Sequence, residues 1–212
     1  MAKYPIYLNL SNRRAVVIGA GAVAARKVLS LSAAGARVVV VAEHATSTFE
    51  EACSGANIEL VLSSYSKDYL AEAVLAIAAT NDTVLNHQIY KDCQQLEVLC
   101  NVVDEPEFCD FYVPAVVDRG SLQIAIGTDG KCPAYAGHLR KKLEELFTEQ
   151  HGQFVDALDA ARKQIIATVE DSADRKAILG ELVTDKSFDY FVQNGAAAWQ
   201  ERTRTLIAEK TA

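Results

Sequence analysis

Val16-Val17-Ile18-Gly19-Ala20-Gly21-Ala22-Val23-Ala24-Ala25-Arg26-Lys27 is the stretch whose reading decides the fold. Three apolar residues run into Gly-x-Gly-x-x-Ala and on into sequence that suits a helix, the setting in which this spacing carries meaning. Gly19 allows a tight turn, Gly21 has no Cβ and lets the backbone approach a pyrophosphate, and Ala24 lets the helix lie close to the strand. The helix that follows begins at Ala22 and Val23, and its unpaired N–H groups and dipole favour phosphate. The pattern points to a dinucleotide site.

Such sites carry an acidic residue about 20 positions further on, at the end of the second strand, to accept ribose hydroxyls. Arg37-Val38-Val39-Val40-Val41-Ala42-Glu43 supplies that strand and that acid. No Arg or Lys follows closely to meet a 2′-phosphate, which Glu43 would also repel, so the expected cofactor is NAD rather than NADP. A solvated loop acid is the other reading of Glu43.

Outward from this unit the chain alternates strands and helices. Strands are expected at 14–18, 37–42, 58–62, 75–79 and 98–103, with helices at 23–35, 46–54 and 67–73 and a helical face through Leu85, Ile89 and Cys93. Ile6 to Leu10 alternates, as a short edge strand or a lead-in. Near-continuous apolar strands separated by helices predict a Rossmann-like, doubly wound parallel sheet covered on both faces, an α/β fold. Ligands of such sheets bind outside the carboxyl ends of the strands, so Gly19–Ala24, Ala42–Glu43, Ala79–Asp82 and Asp104 should line one crevice.

After Asp104 the rhythm changes. Residues 111–117 and 122–126 flank Asp118-Arg119-Gly120-Ser121 as a β-hairpin. A helix opens at Pro133 and aligns Leu139, Leu143, Leu146 and Phe147, and residues 152–210 are helical throughout. The expected organisation is an NAD-binding domain (1–113), a hairpin and helix dimerisation segment (114–150) and a helical C-terminal domain (151–212). An exposed apolar hairpin is a liability unless it pairs, so a homodimer is expected through residues 114–150.

The 212 residues carry a formal net charge of −7, which argues against a general nucleic-acid binder. Residues 114–150 alone balance five basic against five acidic side chains. Arg119, Lys131 and Arg140 there are candidate contacts for a polyanionic substrate, or else part of a solvated helix face. Half of the residues are apolar, yet no run approaches the ~20 needed to span a bilayer. No signal-peptide pattern opens the sequence, and the expected location is the cytoplasm. Five cysteines without Cys-x-x-Cys, and four histidines without His-x-x-x-His, predict neither a disulfide framework nor a metal site.

Tyr4-Pro5-Ile6, the Gly19 to Lys27 turn, Ala78-Ala79-Thr80-Asn81-Asp82, Asn101-Val102-Val103-Asp104, Pro114 to Gly120 and the helix Pro133…Leu139-Arg140…Leu143-Glu144 together resemble the siroheme-synthase dehydrogenase/ferrochelatase family. The likeness covers residues 1–150 by motif and 151–212 only by helical character. It implies oxidation of precorrin-2 to sirohydrochlorin with NAD⁺ and, in some members, insertion of ferrous ion to make siroheme. Asp104 would then be the catalytic carboxylate, with dinucleotide contacts at Ala22, Val23, Ala42 and Glu43, and Thr80 and Asn101 near the nicotinamide. Gly127 stands where some members carry a modifiable serine.

The implied chemistry suits one carboxylate at that place. Removing a hydride from a saturated carbon leaves a cation that must shed a proton, and a base at the nicotinamide end can take it. In chelation the macrocycle is itself the metal ligand, which agrees with the missing His/Cys cluster. From spacing alone Asp104 serves equally as a strand-end residue bonding nearby N–H groups. Two other functions stay open: a non-catalytic NAD-binding redox sensor, which has no reason for Asp104, and a chelatase indifferent to NAD⁺.

Overall fold

Strands this apolar need cover on both faces, and the computed structural model, which describes residues 3–211, supplies it. Five strands, β1 (Arg14–Ile18), β2 (Arg37–Ala42), β3 (Ile58–Leu62), β4 (Ala73–Ala78) and β5 (Leu99–Val102), form one sheet in the order β3-β2-β1-β4-β5. Every pairing is parallel. Helices α1 (Ala22–Ala33), α2 (Ser47–Ala52) and α3 (Thr83–Gln95) lie between the strands, and the expected helix at 67–73 is a single 3₁₀ turn, Lys67–Leu70.

Side chains of a strand alternate between faces, and the core divides accordingly. Ala15, Val17, Val38, Val40, Leu75 and Ile77 pack with Ala24, Val28 and Leu31 of α1 and Phe49 of α2. Val16, Ile18, Val39, Val41, Ala76, Ala78, Cys100 and Val102 pack on the other face with Leu70 and with Ile89 and Cys93 of α3.

The register places the site. Ile18 is level with Val41 on one side and with Ala78 on the other, and Ala78 is level with Val102. The loops that leave β1, β2, β4 and β5 therefore start from one straight edge. The strand order reverses direction between β1 and β4, and a crevice outside the carboxyl ends opens at such a point.

The chain divides into two compact units at Val113/Pro114. In the second, β6 (Ala115–Arg119) and β7 (Leu122–Ile126) form a two-stranded antiparallel sheet, followed by α4 (Pro133–Leu146), α5 (Glu149–Thr168), α6 (Ser172–Leu182) and α7 (Asp185–Thr211). Both α4 and α5 lie on β6 and β7, so the hairpin segment and the C-terminal helices share one unit. Its core gathers Phe154, Ile165, Ile178, Leu182, Phe191 and Ile207 around a buried Trp199. The indole Nε1 of Trp199 donates to Ser187 Oγ at 2.8 Å, which satisfies its one polar group. Gly152 marks the closest approach of α5 to the hairpin: a Cβ there would stand 1.7 Å from the carbonyl oxygen of Arg119.

Several boundaries differ from the sequence reading. Residues 6–10 form no strand and are a lead-in to β1, which already has β2 and β4 on its two sides. The hairpin's first strand starts at Ala115 rather than 111. The residues before it run back along β5, with an antiparallel bridge from Asn101 to Cys109 and a bond from the Asp110 N–H to Cys100 O at 2.8 Å. Only Gly120 and Ser121 then remain for the turn, since Arg119 pairs with Leu122. The long C-terminal helical stretch is three helices, the last kinked at Gly195, whose φ of 81° is not helical.

Candidate functional site

The glycine turn has the geometry its residues promise. Gly19 sits at φ 109°, and a Cβ there would lie 2.4 Å from Ala79 O, so no other residue fits. Gly21 is the N-cap of α1 in extended conformation, and a Cβ added to it would meet nothing within 4 Å. No side chain caps α1, and its first turn holds no acid. The N–H groups of Ala22 and Val23, residues that are exposed and half-buried, thus stand at the positive end of the helix dipole, the arrangement that accepts a phosphate. Ala24 is fully buried, as close packing of helix on strand requires. Thr46 pins the turn from outside: its Oγ1 and its N–H both donate to Ala20 O, at 3.1 and 3.0 Å.

At the end of β2, Ala42 is half-buried and Glu43 is exposed. Ser64 Oγ donates to Glu43 Oε1 at 2.9 Å, which holds the carboxylate at the mouth of the edge.

At the end of β4, Thr80 is gripped by Asn86 from the first turns of α3. Thr80 Oγ1 donates to Asn86 Oδ1 at 2.7 Å, and Asn86 Nδ2 returns a bond to Thr80 O at 3.1 Å. Asp82 caps α3 by accepting from the Leu85 N–H at 3.0 Å. Asn86 is buried, so removing its amide leaves the Thr80 groups without their partner. Asn86→Ala and Thr80→Val are each expected to weaken NAD⁺ binding about tenfold, from ~1.4 kcal/mol of lost order, whereas Thr80→Ser stays near the parent value. Calorimetric titration with NAD⁺ measures all three.

At the end of β5, Asp104 is exposed and adopts φ 62°, a left-handed backbone that Asp tolerates better than most residues. Lys27 of α1 lies close enough to respond to it. Burial and neighbouring Arg26 push the Lys27 ammonium below its usual pKa, while Asp104 and Cys109 pull it back up.

Two expected contacts have other duties. Asn101 is buried, and its Nδ2 donates to Phe111 O at 2.9 Å and to Cys109 Sγ at 3.3 Å. These bonds hold the returning segment against β5 and commit the Nδ2 of Asn101 to the loop. Arg119 is similarly committed. Its guanidinium donates to Phe147 O at 2.7 Å, Glu144 O at 3.1 Å and Asp118 O at 2.8 Å, and so closes the C-terminal end of α4. It is no free cation for a substrate. Of the other two cations, Lys131 is exposed with Asp129 at 3.9 Å, and Arg140 pairs with Glu144 one turn along α4. Among the described residues no group of three His, Cys, Asp or Glu side chains is placed to hold a metal.

A parallel sheet in this order, with a glycine turn and an uncapped helix at its point of reversal, defines a dinucleotide-binding protein of the Rossmann-like class. Residues 6–115 match a family model described as putative NAD(P)-binding, and residues 119–146 match one described as sirohaem biosynthesis protein central. The chain belongs to this putative NAD(P)-binding family, joined here to the sirohaem biosynthesis central segment, and its cofactor is accordingly a nicotinamide dinucleotide.

Its relatives include the siroheme synthase of Psychrobacter cryohalolentis, 35% identical over 83% of this chain and 34% of that protein. The siroheme synthase of Zymomonas mobilis is 33% identical over 97% of this chain and 43% of its own length. The chain thus spans well under half of the curated relatives it matches. A solved structure, "SirC, precorrin-2 dehydrogenase", shares the fold over 96% of this chain and all of its own, with a TM-score of 0.76 and 21% identity.

Proposed function

We propose that the chain oxidises precorrin-2 to sirohydrochlorin with NAD⁺, with Asp104 as general base. The observation that carries this reading is the exposed Asp104 carboxylate, displayed on the same sheet edge as the glycine turn and two strands from it. The similarity to siroheme synthases, and the fold shared with a protein described as a precorrin-2 dehydrogenase, support the choice of substrate.

Bound NAD⁺ supplies the hydride acceptor. Gly21 and the N–H groups of Ala22 and Val23 hold its pyrophosphate, and Glu43, steadied by Ser64, accepts ribose hydroxyls and rejects a 2′-phosphate. Thr80, fixed by Asn86, borders the nicotinamide end. As hydride leaves a saturated carbon of the macrocycle, Asp104 takes the proton that the resulting cation must lose. Lys27 of α1 lies close enough for its ammonium and the Asp104 carboxylate to interact. Exposed Lys131 and half-buried Arg140, which would exchange Glu144 for the ligand, are our candidates for the carboxylates of the substrate.

Ferrous ion is a second candidate substrate, with Asp104 assisting deprotonation of the pyrrole nitrogens as the metal enters. We also assign a cytoplasmic location, consistent with the absence of any helix long and apolar enough to cross a membrane among the described residues. The assembly proposed is a homodimer through residues 114–150, because the two-stranded sheet leaves both outer edges unpaired.

Anaerobic incubation with precorrin-2 and NAD⁺, followed optically, tests the reaction. The expected result is appearance of sirohydrochlorin with equimolar NADH, faster with NAD⁺ than with NADP⁺. No conversion, with NAD⁺ binding intact, favours the redox sensor. A second trace with ferrous ion added separates one activity from two, and insertion into supplied sirohydrochlorin without any oxidation identifies a chelatase.

A further inference from the structure

We propose that His87 of α3 is a positioning residue for Asp104, acting through Glu105 to lock the loop that carries the proposed base. The inference rests on the reading of Asp104 given above and assigns a role to two residues outside it. Asp104 holds a left-handed backbone on an exposed loop, a conformation that persists only where neighbouring bonds enforce it. Those bonds converge on the next residue. The Glu105 N–H donates to Val102 O at 3.3 Å, and Glu105 O accepts from the Phe108 N–H at 3.0 Å and from Cys109 Sγ at 3.3 Å. Its side chain reaches across to α3, where Glu105 Oε2 and His87 Nε2 lie 2.5 Å apart.

The same histidine grips the loop a second time. Its ring lies on the Phe108 ring with centroids 4.1 Å apart, and Phe108 also meets Tyr90, one turn along α3, edge to face at 5.3 Å. The backbone from Val102 to Cys109 is thus tied to a rigid helix at both ends of its 3₁₀ turn, Pro106–Phe108. The histidine and glutamate side chains are 34% and 27% exposed. A pair so accessible to water adds little to global stability. Its effect is geometric: it sets where Asp104 stands.

The test compares the full chain with His87→Ala, His87→Gln, Glu105→Ala and the double variant H87A/E105A. Glutamine keeps an N–H donor near the place of Nε2 and restores the bond to Glu105. His87→Ala is expected to lower kcat for precorrin-2 oxidation about tenfold, as small misplacements of a reacting group do, with KM and NAD⁺ affinity within about twofold of the parent. His87→Gln should return kcat to within about threefold, and the double variant should be no slower than His87→Ala, which already removes the contact with Glu105. Amide exchange at Phe108 should quicken about tenfold in His87→Ala.

Parent-like kcat in His87→Ala overturns the proposal, whether or not exchange changes, since the loop would then be held to no effect on Asp104. A loss of NAD⁺ affinity equal to the loss of kcat also overturns it, because the damage would then be general. If the parent chain itself fails to oxidise precorrin-2, the proposed reaction falls. Exchange then decides for the clamp if it quickens in His87→Ala and not in His87→Gln, and against it otherwise.

Discussion

Asp104→Asn is expected to bind NAD⁺ within about twofold of the parent chain and, on the function proposed above, to oxidise precorrin-2 about 10³-fold more slowly, the usual scale for loss of a general base. Asparagine is the informative replacement. At φ 62° an alanine would add backbone strain of its own, whereas asparagine adopts the left-handed region readily and keeps the shape of the side chain. What is removed is the negative charge and, with it, the ability to take a proton. The glycine turn and the uncapped helix behind it belong to a different loop, so dinucleotide affinity has no reason to fall. Parallel calorimetry and stopped-flow optical traces measure the two quantities. Retained oxidation would remove Asp104 from the chemistry, and lost NAD⁺ affinity would show it to be part of the cofactor site instead.

Gly152→Ala is the largest expected structural effect. A methyl group 1.7 Å from Arg119 O and 2.8 Å from Arg119 C meets backbone, not the yielding tip of a side chain. Neither partner moves cheaply. Arg119 pairs with Leu122 at the hairpin end and holds three backbone carbonyls through its guanidinium, and α5 is anchored by Phe154, Ala157 and Ala161 in the core. The expected cost is about 3 kcal/mol or more, at the upper end for overpacking, or ~10 °C in Tm for a chain of this size. Trp199, the only tryptophan, lies in that core and reports the transition by fluorescence in urea. Gly180 of α6, where a Cβ meets nothing within 4 Å, is the matched control, and Gly180→Ala should be neutral or stabilise by about 0.5–1 kcal/mol. A Gly152→Ala chain that melts with the parent would mean that α5 can slide off the hairpin freely.

The parallel sheet was legible because its central strands β1, β2 and β4 are near-continuous runs of Val, Ile, Leu and Ala, and because Gly19 and Gly21 answer local demands of one turn. The places of Glu43 and Asp104 were legible too: Glu43 directly follows β2 and Asp104 stands two residues beyond β5. The residues that hold them were not. Ser64 meets Glu43 across 21 positions, and Thr46 meets Ala20 across 26, through bonds that leave no periodic trace in sequence. Asn86 looks like any polar residue of a helix until its burial beside Thr80 is seen.

Asn101 and Arg119 have partners that the sequence does not show either. An amide and a guanidinium in promising places suggest ligands, yet both are spent on main-chain carbonyls, acceptors that every residue carries and no sequence singles out. The hairpin start was misjudged because Phe111, Tyr112 and Val113 have the composition of a strand. Asn101 draws Phe111 back toward β5, and Pro114 offers no N–H to a ladder.

The level ends of β1, β2, β4 and β5 bear on how this protein can change. Insertions or exchanges beyond Ile18, Val41, Ala78 or Val102 lengthen a connecting segment without shifting the inward or outward parity of any strand. The apolar layers on the two faces of the sheet are therefore insulated from alterations in chemistry above them. New substrates are reachable by grafting whole segments onto that rim, provided that each graft brings its own tether, as Asn86 and His87 do for the two they hold.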